Sequence, residues 1–434
     1  MNHILPLSTS IPSLSKMYSP TLMSSLLPPL LAVLIIMAER GQSSGVTPHV
    51  SKVAEASNTF ALHLYQSLQP GFEGENLFFS PMSISTALAM TQMGTRGDTA
   101  AQVAKVLRFN LVEEKKLHQA FQELNALLYD TNRPYTLKSA NRLFGQKGDK
   151  FLPDFLDGTR SHYGAHLEAV DFARETEAAR QLINSWVEEQ TAQKITNLLP
   201  SGSLNPLVSL VLVNAIYFKG DWLKQFDAKL THNESFHLSA TRSVQIPMMH
   251  QKPIKYNFTY DRNMKCKLLD LPYKGDHLSM VLLLPDEIEG LSKIEANLNV
   301  DVLNKLISNM EEVKVRVAVP KFKFSQSFNL HETLNQMGIQ DLFIDGKADL
   351  SGINGGSNLY VSKVIHKAFI EVNEEGSEAA AATAVTMKKR SIDMSPEFRA
   401  NHPFLFLIRD NSSGAILFLG RLTKPSEASS RDEL

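Results

Sequence analysis

Hydrophobic spacing changes character along the chain. In the first part, apolar positions recur at intervals of three and four, the spacing of a helix with one buried stripe. SNTFALHLYQSL at residues 57–68 predicts a helix with Ser57 as its N-cap. SPMSISTALAMTQMG at residues 80–94 predicts another, with Pro81 in the first turn and Gly94 at the end. DTAAQVAKVL and EKKLHQAFQELNALLY continue the helical pattern. The second part reads as strands: LVSLVLVNAIYF (207–218), LSMVLLLP (278–285), VKVRVAVPKFKF (313–324) and GAILFLGRL (414–422). LVLVNAIYF is apolar on both faces, as a strand in the middle of a covered sheet must be. The pattern predicts an α+β fold, helices first, with a large sheet covered on both faces.

Composition adds few constraints. The chain has 434 residues, 43% hydrophobic and 21% charged, which is the balance of a folded globular protein. No linker composition, charge block or repeat divides residues 46–425, so one domain and a monomer are expected. The formal net charge is -1, so any electrostatic partner must be recognised by a local patch, and nucleic acid is not an expected partner. Lys388, Lys389 and Arg390 form the obvious patch, whereas Lys115 and Lys116 lie on an otherwise acidic amphipathic helix and read as a solvated face. HExxH and GxxxxGK[ST] are absent, and the 13 histidines are scattered. No catalytic role, metal or cofactor is therefore expected. His366, inside the apolar run VSKVIHKAFIEV, reads as a hydrogen-bonded core residue.

Both ends carry address signals. LLPPLLAVLIIMA at 26–38 has the length of a secretory signal core and is short for a membrane span. Residues 1–41 are expected to be a cleaved signal, 42–425 the folded domain and 426–434 a tail, with no membrane span after cleavage. The tail ends in Arg431-Asp432-Glu433-Leu434, which resembles the KDEL-type signals bound by a retrieval receptor. An early secretory location, partly secreted, follows as the expectation. Sequons at Asn233, Asn257 and Asn411 are candidate glycosylation sites on that route, and the single Cys266 allows no internal disulfide.

The stretch EEGSEAAAATAVTMKKRSIDMSP at 374–396 carries the chemistry of interest. One reading is a helix that begins at Ser377 and runs through Ala379, Ala380, Ala381 and Ala382. Against it, Gly376 precedes, no Glu or Gln closes a capping box, and β-branched Thr383, Val385 and Thr386 follow. The other reading is an extended segment in which Ser377, Ala379, Ala381, Thr383, Val385 and Met387 share one face, with Glu378 on the opposite one. That face is small and uncharged at its start, so it presents nothing that blocks entry between two strands.

Taken with longer motifs, the chain resembles a serpin. NLFFSPMSISTALAM (76–90) continuing to GTRGDT (94–99) is similar to the family's early helix signature. LVNAIYFKGDW (212–222) is similar to its central strand, residues 361–376 to the strand entering the reactive loop, and HPFLF (402–406) with FLGRLTKP (418–425) to the closing strands. The resemblance implies a fold of N-terminal helices and large mixed sheets with an exposed C-terminal loop. It also implies that Ser80, Asn214 and His366 lie in the hydrogen-bonded region beneath the sheet and that Trp222 gates sheet opening. Inhibitory members carry Glu, a Gly two residues later and an alanine-rich hinge, with the scissile residue about sixteen positions after the Glu. Glu374, Gly376, Ser377, Glu378, the four alanines and Thr383 fit that hinge, and 390 minus 374 is 16, which selects Arg390-Ser391 as the reactive bond.

The implied activity is suicide inhibition of serine proteases through a covalent complex. Met387, Lys388, Lys389 and Arg390 suit proteases that cut after basic residues, either trypsin-like enzymes or furin-like and prohormone convertases. Met387 departs from furin's preference for Arg four residues before the cut. The alternative implied by the resemblance is a non-inhibitory chaperone resident in the endoplasmic reticulum. Bulky or charged residues are usual in the hinge of non-inhibitory members, and this hinge has none at Ser377 or Ala379 to Ala382.

Overall fold

In the computed structural model, residues 46–376 and 394–425 are described. The first helix, α1 (Pro48–Leu68), begins well before its sequence signal. Thr47 is its cap, accepting from the Val50 N–H at 3.4 Å, and Pro48 occupies the first turn, where no N–H is needed. Ser57 is therefore not an N-cap. It lies in mid-helix on a stripe that runs Val50, Val53, Ala54, Ser57, Phe60, Ala61, Leu64 and Leu68, and its small side chain lets that stripe pack. The helices α2 (Pro81–Gln92), α3 (Gly97–Val106) and α4 (Glu114–Leu128) fall where the spacing places them. Among the described residues no helix is long and apolar enough to cross a membrane.

Strands are not confined to the second part. β1 (Leu77–Phe79), β2 (Tyr135–Gln146) and β3 (Leu167–Val170) interleave with the early helices. There follow β4 (Leu210–Gly220), β5 (His232–Ser239), β6 (Arg242–Asp261), β7 (Cys266–Pro272) and β8 (Leu278–Pro285). The remainder are β9 (Glu311–Pro320), β10 (Phe322–Asn329), β11 (Val361–Val372), β12 (Glu397–Arg399), β13 (Phe404–Asp410) and β14 (Ile416–Leu422). One sheet has the order β10-β11-β4-β2-β3, and the other β1-β14-β13-β8-β7-β6-β9-β12, with β5 also on β6.

The run at 313–324 reads as one strand but forms two, β9 and β10, in different sheets. Apolar positions are odd-numbered from Val313 to Val319 and even-numbered at Phe322 and Phe324, so the alternation slips by one residue at Pro320 and Lys321, the join. The break falls at Pro320, which has no N–H to donate, and the Lys321 N–H turns to Pro247 O at 3.0 Å.

Strand β4 is buried almost throughout and serves two cores. Leu210, Leu212, Ile216 and Phe218 face the core built with α1 and α2, while Val211, Val213, Ala215 and Tyr217 face a second core with α5 (the helix Thr176–Gln190). The expected sheet covered on both faces follows from this alternation. Elsewhere a buried ion pair fastens β14 to the helix layer. Arg421 Nη1 lies 2.7 Å from Glu295 Oε1, both side chains are nearly inaccessible, and the Tyr65 hydroxyl donates to the same oxygen at 2.5 Å. Cys266 is buried in β7, where burial first and Asp261 and Asp286 second push its thiol up to about 12 and keep it protonated.

Candidate functional site

Strands β11 and β4 run parallel, with His366 opposite Asn214. Both side chains point to the face that α2 covers. Ser80, the cap of α2, donates its N–H to His366 Nε2 at 3.1 Å and its hydroxyl to Leu417 O at 2.5 Å. With Nε2 accepting, the proton sits on Nδ1, which donates to Asn214 Oδ1. Asn214 Nδ2 in turn donates to Ser83 O at 3.2 Å and to Ser83 Oγ and Asn141 Oδ1. Ser80, Asn214 and His366 are thus brought together, fully buried, with every ring nitrogen of His366 matched. Burial, which penalises the charged ring, holds His366 down at about 3.

Trp222 lies apart from that cluster, where β4 ends. Its ring stacks on Tyr273 at 4.5 Å, and its indole N–H donates to Asn373 O at 2.9 Å. The Trp222 backbone N–H donates to Glu375 O at 2.7 Å and the Phe226 N–H to Glu374 O at 2.8 Å. The Glu374 carboxylate is 3.0 Å from Lys321 Nζ. Gly376 completes the clasp at a φ of +113°, and a Cβ there would stand 2.2 Å from Gly220 O and 2.5 Å from Trp222 N. Only glycine fits so close a backbone approach. Three backbone carbonyls after β11, those of Asn373, Glu374 and Glu375, are therefore held against the chain leaving β4.

Several predicted positions lie outside the described residues: Ser377, Glu378, Ala379, Ala380, Ala381, Ala382, Thr383, Met387, Lys388, Lys389, Arg390 and Ser391, the tail Arg431, Asp432, Glu433 and Leu434, and the signal segment. The described chain resumes before β12, which pairs in parallel with β9 in the other sheet. Of the sequons, Asn233 is exposed on β5. The amide of Asn257 donates to Asp270 at 3.2 Å and that of Asn411 to Asp276 O at 3.1 Å.

Known proteins match this arrangement along nearly its whole length. The sequence pattern of the family described as serpin (serine protease inhibitor) matches residues 55–425. The chain belongs to the serpin family. This serpin is 47% identical over 382 residues to the leukocyte elastase inhibitor of Homo sapiens, covering 87% of this chain and 100% of that protein. Among solved structures, uncleaved ovalbumin superposes with a TM-score of 0.79 at 34% identity, covering 86% of this chain and 100% of that one. Maspin does so with a TM-score of 0.80 at 30% identity, covering 87% and 100%.

Sequence reasoning missed one group in this serpin. His232, Glu234 and His250 converge on one face of β5 and β6. The signal was His-x-Glu within a strand, which puts both residues on one face; the hairpin register that adds His250 was not readable.

Two outcomes follow from the geometry. Gly376→Ala is expected to unfasten the clasp, at a cost of about 2 kcal/mol or more in local stability. Hydrogen exchange at the Trp222 and Phe226 amides should quicken; unchanged protection would show that the clasp tolerates a side chain. For His366 the folded-state value lies below the unfolded one, so its contribution is intact above about pH 6.5 and is lost as pH falls towards 3. Urea midpoints at pH 7 and pH 4 should show that His366→Gln is less stable at pH 7 and loses less on acidification than the parent.

Proposed function

We propose that this serpin is an inhibitory one, cleaved after Arg390 and directed at serine proteases of dibasic specificity, with secretory-pathway convertases as the favoured class. The observation that carries the reading is the register of the loop. Glu374, clasped at the end of β11, is followed by Gly376, by a small-residue run and, sixteen positions on (390 minus 374), by Arg390 after two lysines. A protease that attacks the Arg390 carbonyl forms an acyl-enzyme and frees the hinge. Insertion of the hinge into the sheet then carries the acylated protease away before water completes hydrolysis, a form of strand addition known for serpins.

The relatives named for leukocyte elastase bear on the target. Elastase-type specificity rests on a small primary pocket, whereas an acidic pocket accepts Arg. Arg390 therefore favours a different protease from the one in those relatives' name, and Lys388 and Lys389 favour an enzyme with additional negative charge. The apolar segment at 26–38 and the RDEL tail support an early secretory location. The sequons and the retrieval receptor belong to the same reading.

Incubation with a convertase, trypsin and an elastase, followed by a denaturing gel and mass spectrometry, tests the target. A covalent complex with the convertase, linked through Arg390, is expected. Ser377→Arg places a guanidinium on the face that must be buried early, which opposes insertion by several kcal/mol, on the order of the cost of an unpaired buried charge. That variant should be cleaved after Arg390 and released with little stable complex, while Glu378→Arg should inhibit nearly as the parent does. Full inhibition by Ser377→Arg would remove the insertion mechanism and favour a reversible lock-and-key inhibitor, whereas no inhibition by the parent would favour the chaperone reading. Deleting residues 431–434 should send the protein to the medium with inhibition unchanged; unaltered retention would refute the location.

A further inference from the structure

Beside the clasp, where Gln251 of β6 donates its amide N–H to Lys224 O at 2.7 Å and Gln225 O at 3.0 Å, the hairpin of β5 and β6 carries a group of side chains that the inhibitory reading leaves unused. His232 and Glu234 are two residues apart on β5 and so project to one face. The register sets Met248 opposite His232, and His250 comes two positions later on the same face of β6. His232 Nε2 and His250 Nε2 each stand 2.9 Å from the same oxygen, Glu234 Oε1. The other oxygen, Oε2, is engaged by Arg399 Nη1 at 3.0 Å, so Oε1 alone faces the imidazoles.

Protons do not satisfy this arrangement well. His232 Nδ1 lies 3.0 Å from Leu230 O, and a carbonyl can only accept, so Nδ1 carries the hydrogen and a neutral His232 presents a lone pair at Nε2. Two acceptors, Nε2 and Oε1, then point at each other. His250 Nε2 is buried, and although it is close to Glu234 it has no aligned hydrogen-bond partner. One proton would serve one nitrogen; a metal ion would serve both. A ring whose far N–H is fixed by a backbone carbonyl is also the usual outer-shell setting of a metal-binding histidine.

We propose that His232, Glu234 and His250 bind one divalent ion of the zinc class. All three ligand atoms lie within 4.8 Å of one another. Nitrogen and carboxylate donors at about 2.0–2.2 Å from a tetrahedral ion are separated by about 3.4 Å, so the 2.9 Å contacts here need open only by about half an ångström to admit one. Two imidazoles and a carboxylate favour zinc, cobalt, nickel or copper over calcium or magnesium, which need oxygen donors. The two rings are stacked at 4.5 Å and 7° from parallel, so they must tilt apart to aim both lone pairs at one ion. His232 is exposed and free to do so. The Arg399 guanidinium lies beyond the carboxylate and weakens the site without occupying it. Arg399 belongs to β12, the strand that follows the proposed reactive bond, so the ion would sit one side chain away from the loop's return into the fold.

The test is calorimetric titration of the untagged full chain, stripped of metal, with zinc chloride, and optical titration with cobalt(II). One zinc ion per chain, a cobalt spectrum with nitrogen and oxygen donors, and no competition by calcium are expected. His232→Ala and His250→Gln should each weaken zinc binding at least tenfold, and the double variant should abolish it. His232 is exposed, so its variant keeps the fold, which a melting curve checks. Zinc binding unchanged in the double variant, or no stoichiometric binding to the parent at micromolar zinc, would overturn the proposal.

Discussion

The contact between β4 and β11 is the constraint on which the remaining architecture rests. These strands come from distant parts of the chain, and their pairing extends from Val361 opposite Leu210 to Phe369 opposite Tyr217. Main-chain bonds alone would leave the seam indifferent to the helix layer. The Ser80, Asn214 and His366 cluster links it to the cap of α2 and, through Leu417, to β14 in the second sheet. Because each member is buried, removing one partner leaves another unsatisfied at a cost of about 1–3 kcal/mol. A polar cluster of this kind specifies where the strands meet, since only one register matches every donor.

The middle of the seam and its end are closed by different chemistry. At its middle, neutral side chains are matched one to one in a dry interior. Where β11 ends, three carbonyls, a stacked tryptophan and a glycine notch hold the chain by its backbone. Backbone bonds of this second kind are individually weak and sit near the surface, so they open at lower free energy than the core does. On the proposed inhibitory reading, a fastening that must hold until a peptide bond is cut, and then let go, is better made this way than from packed apolar groups.

Much of this was legible in the sequence because it depends on local periodicity. The two-sided burial of β4, the Pro-capped start of α2 and the core position of His366 all follow from residue type and spacing. Ser57 misled because a hydroxyl before an apolar run looks like a cap, whereas tertiary packing extended the helix to Pro48. The division of 313–324 between two sheets left only a one-residue slip of the alternation at Pro320 and Lys321, which a bulge within a single strand would also produce. The Trp222 clasp and the His232, Glu234 and His250 group depend on which strands become neighbours. That information lies in pairs of positions far apart, and a single sequence does not expose it.

Strand direction at the seam has an energetic corollary. Because β4 and β11 are parallel, a chain that leaves the end of β11 and doubles back between them would run antiparallel to both neighbours. One slanted parallel ladder would be exchanged for two antiparallel ones, the pairing with the better hydrogen-bond geometry. The five-stranded sheet is thus incomplete in a topological sense: its least favourable internal joint is located where an additional strand would improve the bonding of both partners. A sheet with β4 and β11 antiparallel would offer a returning chain no such gain.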